Sequence, residues 1–91
     1  MGTVGIKIKL MPTSPEVDLE EIKTKAKELI EDKDGKNISF EEEPVAFGLK
    51  AVIITFAIDE DSGDSDGIES GLGEIENVNS SKIIDMRRAF G

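Results

Sequence analysis

Three features of the sequence predict an α+β fold of order βαββαβ, in which a four-stranded antiparallel sheet carries two helices on one face. The first is strict alternation near the start, where Val4, Ile6, Ile8 and Leu10 are separated by Gly5, Lys7 and Lys9. The second is a helical period over 18–31, with Leu19, Ile22, Ala26, Leu29 and Ile30 on one face. The third is the run 51–58, apolar in both registers, as a strand lying centrally in a sheet usually is.

Each element has its own punctuation. Met11-Pro12-Thr13-Ser14-Pro15 ends the first strand, because two prolines and two hydroxyl residues make an irregular connection. Asp18 is the expected N-cap of the first helix, and Glu20 and Glu21 suit the positive end of its dipole. Lys23, Lys25, Lys27 and Glu28 are expected to face outward, and Gly35 to stop the helix. A second strand over 37–43 turns Ile38 and Phe40 inward and Ser39 and Glu41 outward. A turn over 44–48 leads to the third strand, 49–58. An exposed acidic loop over 59–67 follows, then a weaker helix with Ile68, Leu72 and Ile75 in register. Its glycines, Gly67, Gly71 and Gly73, each cost about 1 kcal/mol against Ala in a helix, so packing must hold it, with close approach to the sheet. The last strand, 79–88, contains Ile83-Ile84, a break in alternation consistent with a bulge. Right-handed crossovers place the first and third strands at the centre of the sheet.

Composition narrows the chemistry. Eleven Lys+Arg against twenty Asp+Glu give a formal net charge of −9 over 91 residues. That balance argues against direct nucleic-acid binding and against an anionic membrane, and favours a partner with a basic patch. Cysteine and histidine are both absent. Disulfides, thiolate metal sites and the commonest general base are therefore excluded. With no run near ~20 apolar residues and no leader pattern, the chain reads as one cytoplasmic domain over 1–91, expected to be a monomer.

Several apparent sites fail on spacing or placement. The acidic loop invites calcium, but if Gly67 takes the sixth position of such a loop, Ser62 is first and Gly73 falls where a bidentate Glu is required. A solvated turn is the better reading. Glu41, Glu42 and Glu43 are a wet strand end, since neighbours on a strand point to opposite faces. Gly71-Leu72-Gly73 lies within a helix and is not a phosphate loop. An RNA-binding sheet needs exposed aromatics on its central strands, where this sequence offers Lys7 and Lys9. Catalytic residues, metal ligands and cofactors are not expected, and neither is covalent chemistry.

The stretch Pro44-Val45-Ala46-Phe47-Gly48-Leu49-Lys50 stands apart. Pro44 suits a strand end, Gly48 permits backbone angles closed to other residues, and a large aromatic lies between them. Such a ring either folds back onto the core or projects toward a partner, and spacing alone favours a turn residue packed on the helices. Together with Lys7-Ile8-Lys9-Leu10-Met11-Pro12, Glu16-Val17-Asp18-Leu19 and the basic last strand, however, this stretch resembles the archaeal elongation factor 1-beta family. The resemblance runs from about Val4 to Arg88. It implies a ferredoxin-like fold and guanine nucleotide exchange on the GTPase elongation factor 1-alpha.

The resemblance also implies a mechanism and its residues. Phe47, flanked by Pro44 and Gly48, inserts into a pocket of the GTPase. A basic residue near the C-terminus, a lysine in the eukaryotic relatives, disturbs the magnesium and phosphate region. Arg88 is the nearest match and Arg87 its neighbour, with Ala89-Phe90-Gly91 extending beyond. An arginine keeps the charge, but its planar fork is not equivalent to an ammonium. Two other functions remain open on sequence alone: a small regulatory ligand-binding module, and a nonenzymatic scaffold in a translation complex.

Overall fold

Alternation and helical period appear where the sequence puts them in the computed structural model, which describes residues 2–61 and 63–89. Strand β1 (Thr3–Pro12) leads to helix α1 (Leu19–Asp32) and strand β2 (Lys36–Pro44). A single helical turn at Ala46–Gly48 joins β2 to β3 (Lys50–Asp59), and helix α2 (Ser65–Gly73) precedes β4 (Val78–Ala89). The strands form one antiparallel sheet in the order β2-β3-β1-β4. The topology is ferredoxin-like, with β1 and β3 central as expected.

The core explains the layering. Ile6, Ile8 and Leu10 of β1 and Val52, Ile54, Phe56 and Ile58 of β3 bury one sheet face against Ile22, Ala26 and Ile30 of α1 and Ile68 and Leu72 of α2. At ~25 cal/mol per Å² of apolar area, this shared cluster is the main favourable term in folding. Ile38 and Phe40 on the edge strand β2 pack against it but stay half-buried. Asp18 caps α1, its carboxylate accepting from the Glu20 N–H at 3.0 Å.

Three details differ from what the sequence predicts. At the end of α1 the left-handed residue is Asp34 (φ 64°), while the Gly35 N–H donates back to the Ile30 carbonyl at 2.8 Å. Helix α2 begins inside the acidic segment: Asp64 is its N-cap and accepts from the Gly67 N–H at 3.0 Å. Ser62, the first position of the calcium comparison, lies outside the described residues. The glycines of α2 face different elements, since a Cβ on Gly71 would lie 2.8 Å from Leu29 of α1 and one on Gly73 2.8 Å from Ser81 of β4. Close approach therefore involves the other helix as much as the sheet. The Ile83-Ile84 pair, by contrast, is a bulge as its break in alternation suggests. Lys7 pairs with Asp85 and Ile8 with Ile83, leaving Ile84 as the extra residue. Ile83 packs on the core and Ile84 is exposed.

Candidate functional site: the β2–β3 tip

The tip follows from its residues. Pro44, the last residue of β2, pairs with Lys50 at the edge of the sheet, where a missing N–H costs no ladder bond. The Val45 N–H donates to the Leu49 carbonyl at 2.8 Å and the Leu49 N–H to the Ala46 carbonyl at 3.3 Å, closing the turn. Between them both Phe47 (φ 64°, ψ 28°) and Gly48 (φ 76°) have left-handed backbone. Glycine takes that conformation freely; a bulky aromatic does so rarely and at a cost of order 1–3 kcal/mol.

The Phe47 side chain is 93% exposed, against 50% for Met86 and 45% for Ile84, the other large apolar side chains in the open among the described residues. It does not fold back on the helices, so the placement expected from spacing alone is not the one found. Pro44, Ala46 and Gly48 beside it are exposed as well. An apolar ring displayed on a strained turn contributes nothing to the protein's own core.

Glu42 and Glu43 are exposed, as a wet strand end should be, but both have ion-pair partners that the spacing does not show. Lys23 reaches from α1 to Glu42 at 2.7 Å and to Glu20 at 2.9 Å, with only 19% of its side chain exposed. Hydrogen bonding to Glu42 raises the Lys23 ammonium above its ordinary value. The same bond holds the Glu42 carboxyl below the usual carboxylate range. Lys9 approaches Glu43 at 4.0 Å. The helical period turns Lys23 outward, but its tie to β2 spans 19 residues of sequence, beyond the reach of any local pattern.

Arg87 and Arg88 lie elsewhere. Antiparallel pairing sets Arg88 beside Val4, and Val4 beside Ile58. Lys50 and Ile58 are eight residues apart on β3, roughly 26 Å of strand at about 3.3 Å per residue. The arginines are thus at the far end of a molecule 42 Å long. Arg87 bonds Asp85 at 3.1 Å and Arg88 bonds Glu60 at 2.6 Å, both largely exposed. Phe90 and Gly91 lie outside the described residues. A shallow hollow of about 330 Å³ lined by Gly5, Ile6, Lys7, Thr55, Asp85 and Arg87 opens beside Arg87.

The sequence matches the EF-1 guanine nucleotide exchange domain over residues 5–89. The chain belongs to that family. It is 43% identical over 86 residues to elongation factor 1-beta of Methanococcus maripaludis, covering 94% of this chain and 97% of the relative. To the Methanocaldococcus jannaschii protein of the same name it is 42% identical over 89 residues, 98% of this chain and 100% of the relative. The Methanosarcina acetivorans protein shares 38% over 88 residues, 97% and 99% of the two chains. Within this exchange-domain family the tip and the arginine end are the two exposed features that the sequence singles out.

Proposed function

We propose that this protein is a guanine nucleotide exchange factor for elongation factor 1-alpha, using Phe47 as a wedge and the Arg87–Arg88 end as a charge. The observation that carries the reading is Phe47, almost fully exposed on left-handed backbone at the tip. Strained, exposed aromatics of this kind are retained where they meet a partner. Family membership over 5–89 supports the partner.

Mechanistically, the two ends act on one GTPase. The Phe47 ring fills an apolar pocket, with Pro44 and Gly48 fixing its approach. The guanidinium groups reach the magnesium and phosphate region, Arg88 exchanging Glu60 for the partner. Binding the GTPase more tightly with its nucleotide loosened lowers its affinity for GDP and magnesium by the same factor. A ~1000-fold acceleration of GDP release needs only about 4 kcal/mol off the barrier. GTP then refills the emptied site. The factor itself makes and breaks no covalent bond.

The test is release of fluorescent GDP from elongation factor 1-alpha in excess GTP, with wild type and Phe47→Ala. Fast release with wild type and slow release with the variant is the expected result. Binding without acceleration would make the protein a scaffold, and no binding would point to a ligand module.

A further inference from the structure

We propose that Lys23 is a positioning residue for the tip, gripping the end of β2 through Glu42 so that Phe47 keeps its outward direction. The proposal rests on the wedge reading of Phe47.

The need for such a grip lies in β2 itself. It is an edge strand, bonded only to β3, with a ladder that is irregular between Lys36 and Ser39 at its far end and regular from Ser39 to Pro44. Its apolar anchors, Ile38 and Phe40, are half-buried and lie at its middle. From Glu41 to Pro44 every residue is exposed, so no buried side chain holds β2 as it approaches the tip. Adjacent strand residues point to opposite faces. Glu42 is therefore held from the helix side by Lys23, at 2.7 Å, while Lys9 only approaches Glu43 from the open side of the sheet, at 4.0 Å.

Lys23 makes the grip. It is fixed at its base on α1 and shares its ammonium between Glu20 and Glu42. The helix that packs on the core thus reaches the strand that carries the tip. Exposed ion pairs add little to global stability, but they restrict local motion, and left-handed backbone at Phe47 persists only where neighbours enforce it. A tip that swings offers the wedge in its binding direction for less of the time, which lowers the apparent affinity in proportion.

The experiment uses Lys23→Met, Glu42→Gln and Lys23→Arg, with Lys25→Met as control. Lys25 pairs with Glu21 at 3.3 Å on the same helix and does not touch β2. Amide hydrogen exchange of Val45 and Leu49 at low salt reports the tip without any partner; GDP release from the GTPase reports the wedge. Lys23→Met and Glu42→Gln should speed amide exchange at both positions and slow GDP release about tenfold, the scale of coupling between contacting groups. Lys23→Arg should restore both readouts, since a guanidinium can bridge two carboxylates, and Lys25→Met should change neither. On a Phe47→Ala background the loss of exchange activity should vanish. Unchanged amide exchange in Lys23→Met and Glu42→Gln overturns the grip and leaves the wedge standing. An equal loss on the Phe47→Ala background also overturns it, because the pair would then act elsewhere. If Phe47→Ala exchanges nucleotide normally while the Lys23→Met amides loosen, the wedge fails and the grip on the tip holds.

Discussion

Phe47 and Phe56 are nine positions apart on one hairpin and have opposite fates. Phe56 is 1% exposed in the middle of β3, beside Ile6 on β1, while Phe47 is 93% exposed at the tip. The side chain is the same, so its chemistry does not decide where it goes. On β3 regular alternation turns position 56 toward α1 and α2, and burial of the ring stabilises the fold. At the tip two successive left-handed residues reverse the chain and turn the ring away from every other element. One aromatic holds the protein together; the other is available to something else.

That contrast can be broken by cutting each ring to alanine. Phe56→Ala should cost roughly 3–5 kcal/mol, a large share of the stability of a domain this size, and lower the melting temperature steeply. Phe47→Ala should melt within a few degrees of wild type and lose roughly 2 kcal/mol or more of transition-state binding, about thirtyfold in exchange rate. Phe40→Ala, half-buried on the edge strand, should fall between them in stability. A Phe47→Ala protein that melts like Phe56→Ala would erase the distinction.

How far the sequence reaches differs between these regions. The strands, α1 and its Asp18 cap are legible because period and capping are local properties. The opposite placement of the tip and the arginines comes from the pairing of β4 with β1, antiparallel and back to its start, which no local pattern states. The exposure of Phe47 is not legible either, because spacing alone favours a ring packed on the helices; the family resemblance supplies it. Asp64 is hidden by Gly67, which weakens the helical pattern where α2 begins. Lys23 escapes the pattern for a more general reason. An amphipathic period says which face of α1 is apolar, but not which strand lies beside a lysine on its border.

The far end sharpens the comparison, since its charge should matter to the partner and not to the fold. Arg87→Glu/Arg88→Glu should keep the wild-type melting behaviour within about 1 kcal/mol, as exposed pairs do. GDP release should slow about tenfold at low ionic strength, where screening is weakest. Rates equal to wild type there would remove this end from the mechanism, whatever Phe47 does.

A smaller effect comes from the backbone of the tip. Gly48 has φ 76°, and a Cβ built there meets nothing within 4 Å. Gly48→Ala therefore carries conformational strain alone, about 1 kcal/mol. Stability should fall slightly and exchange should slow, although the added methyl group has room. Unchanged exchange would mean that the direction of the Phe47 ring does not matter to exchange, which counts against the wedge.

The smallest expected effect separates the tip from the core by pH. The Glu42 carboxyl is held below its ordinary value near 4.5 by its hydrogen bond from Lys23. A carboxyl lowered on folding stabilises the folded state above its unfolded value, and that contribution is lost as pH falls through the folded value. Lys23 is raised from 10.5 by the same bond. Its contribution is complete below that value and disappears as pH rises through the folded one. The ion pair therefore acts across the interval between the two ordinary values and fades at both ends. Melting of wild type against Glu42→Gln isolates it, since the other carboxylates are common to both proteins. The small difference between them should be flat around neutral pH and shrink as pH falls below 4.5. The protection of the Val45 amide, relative to its intrinsic exchange rate at each pH, should fall in wild type toward that of the variant. Phe56, buried among aliphatic side chains, gives the comparison its fixed point: amides beside it should respond only to global unfolding. If Val45 and the amides around Phe56 loosen together on acidification, the tip has no local equilibrium of its own.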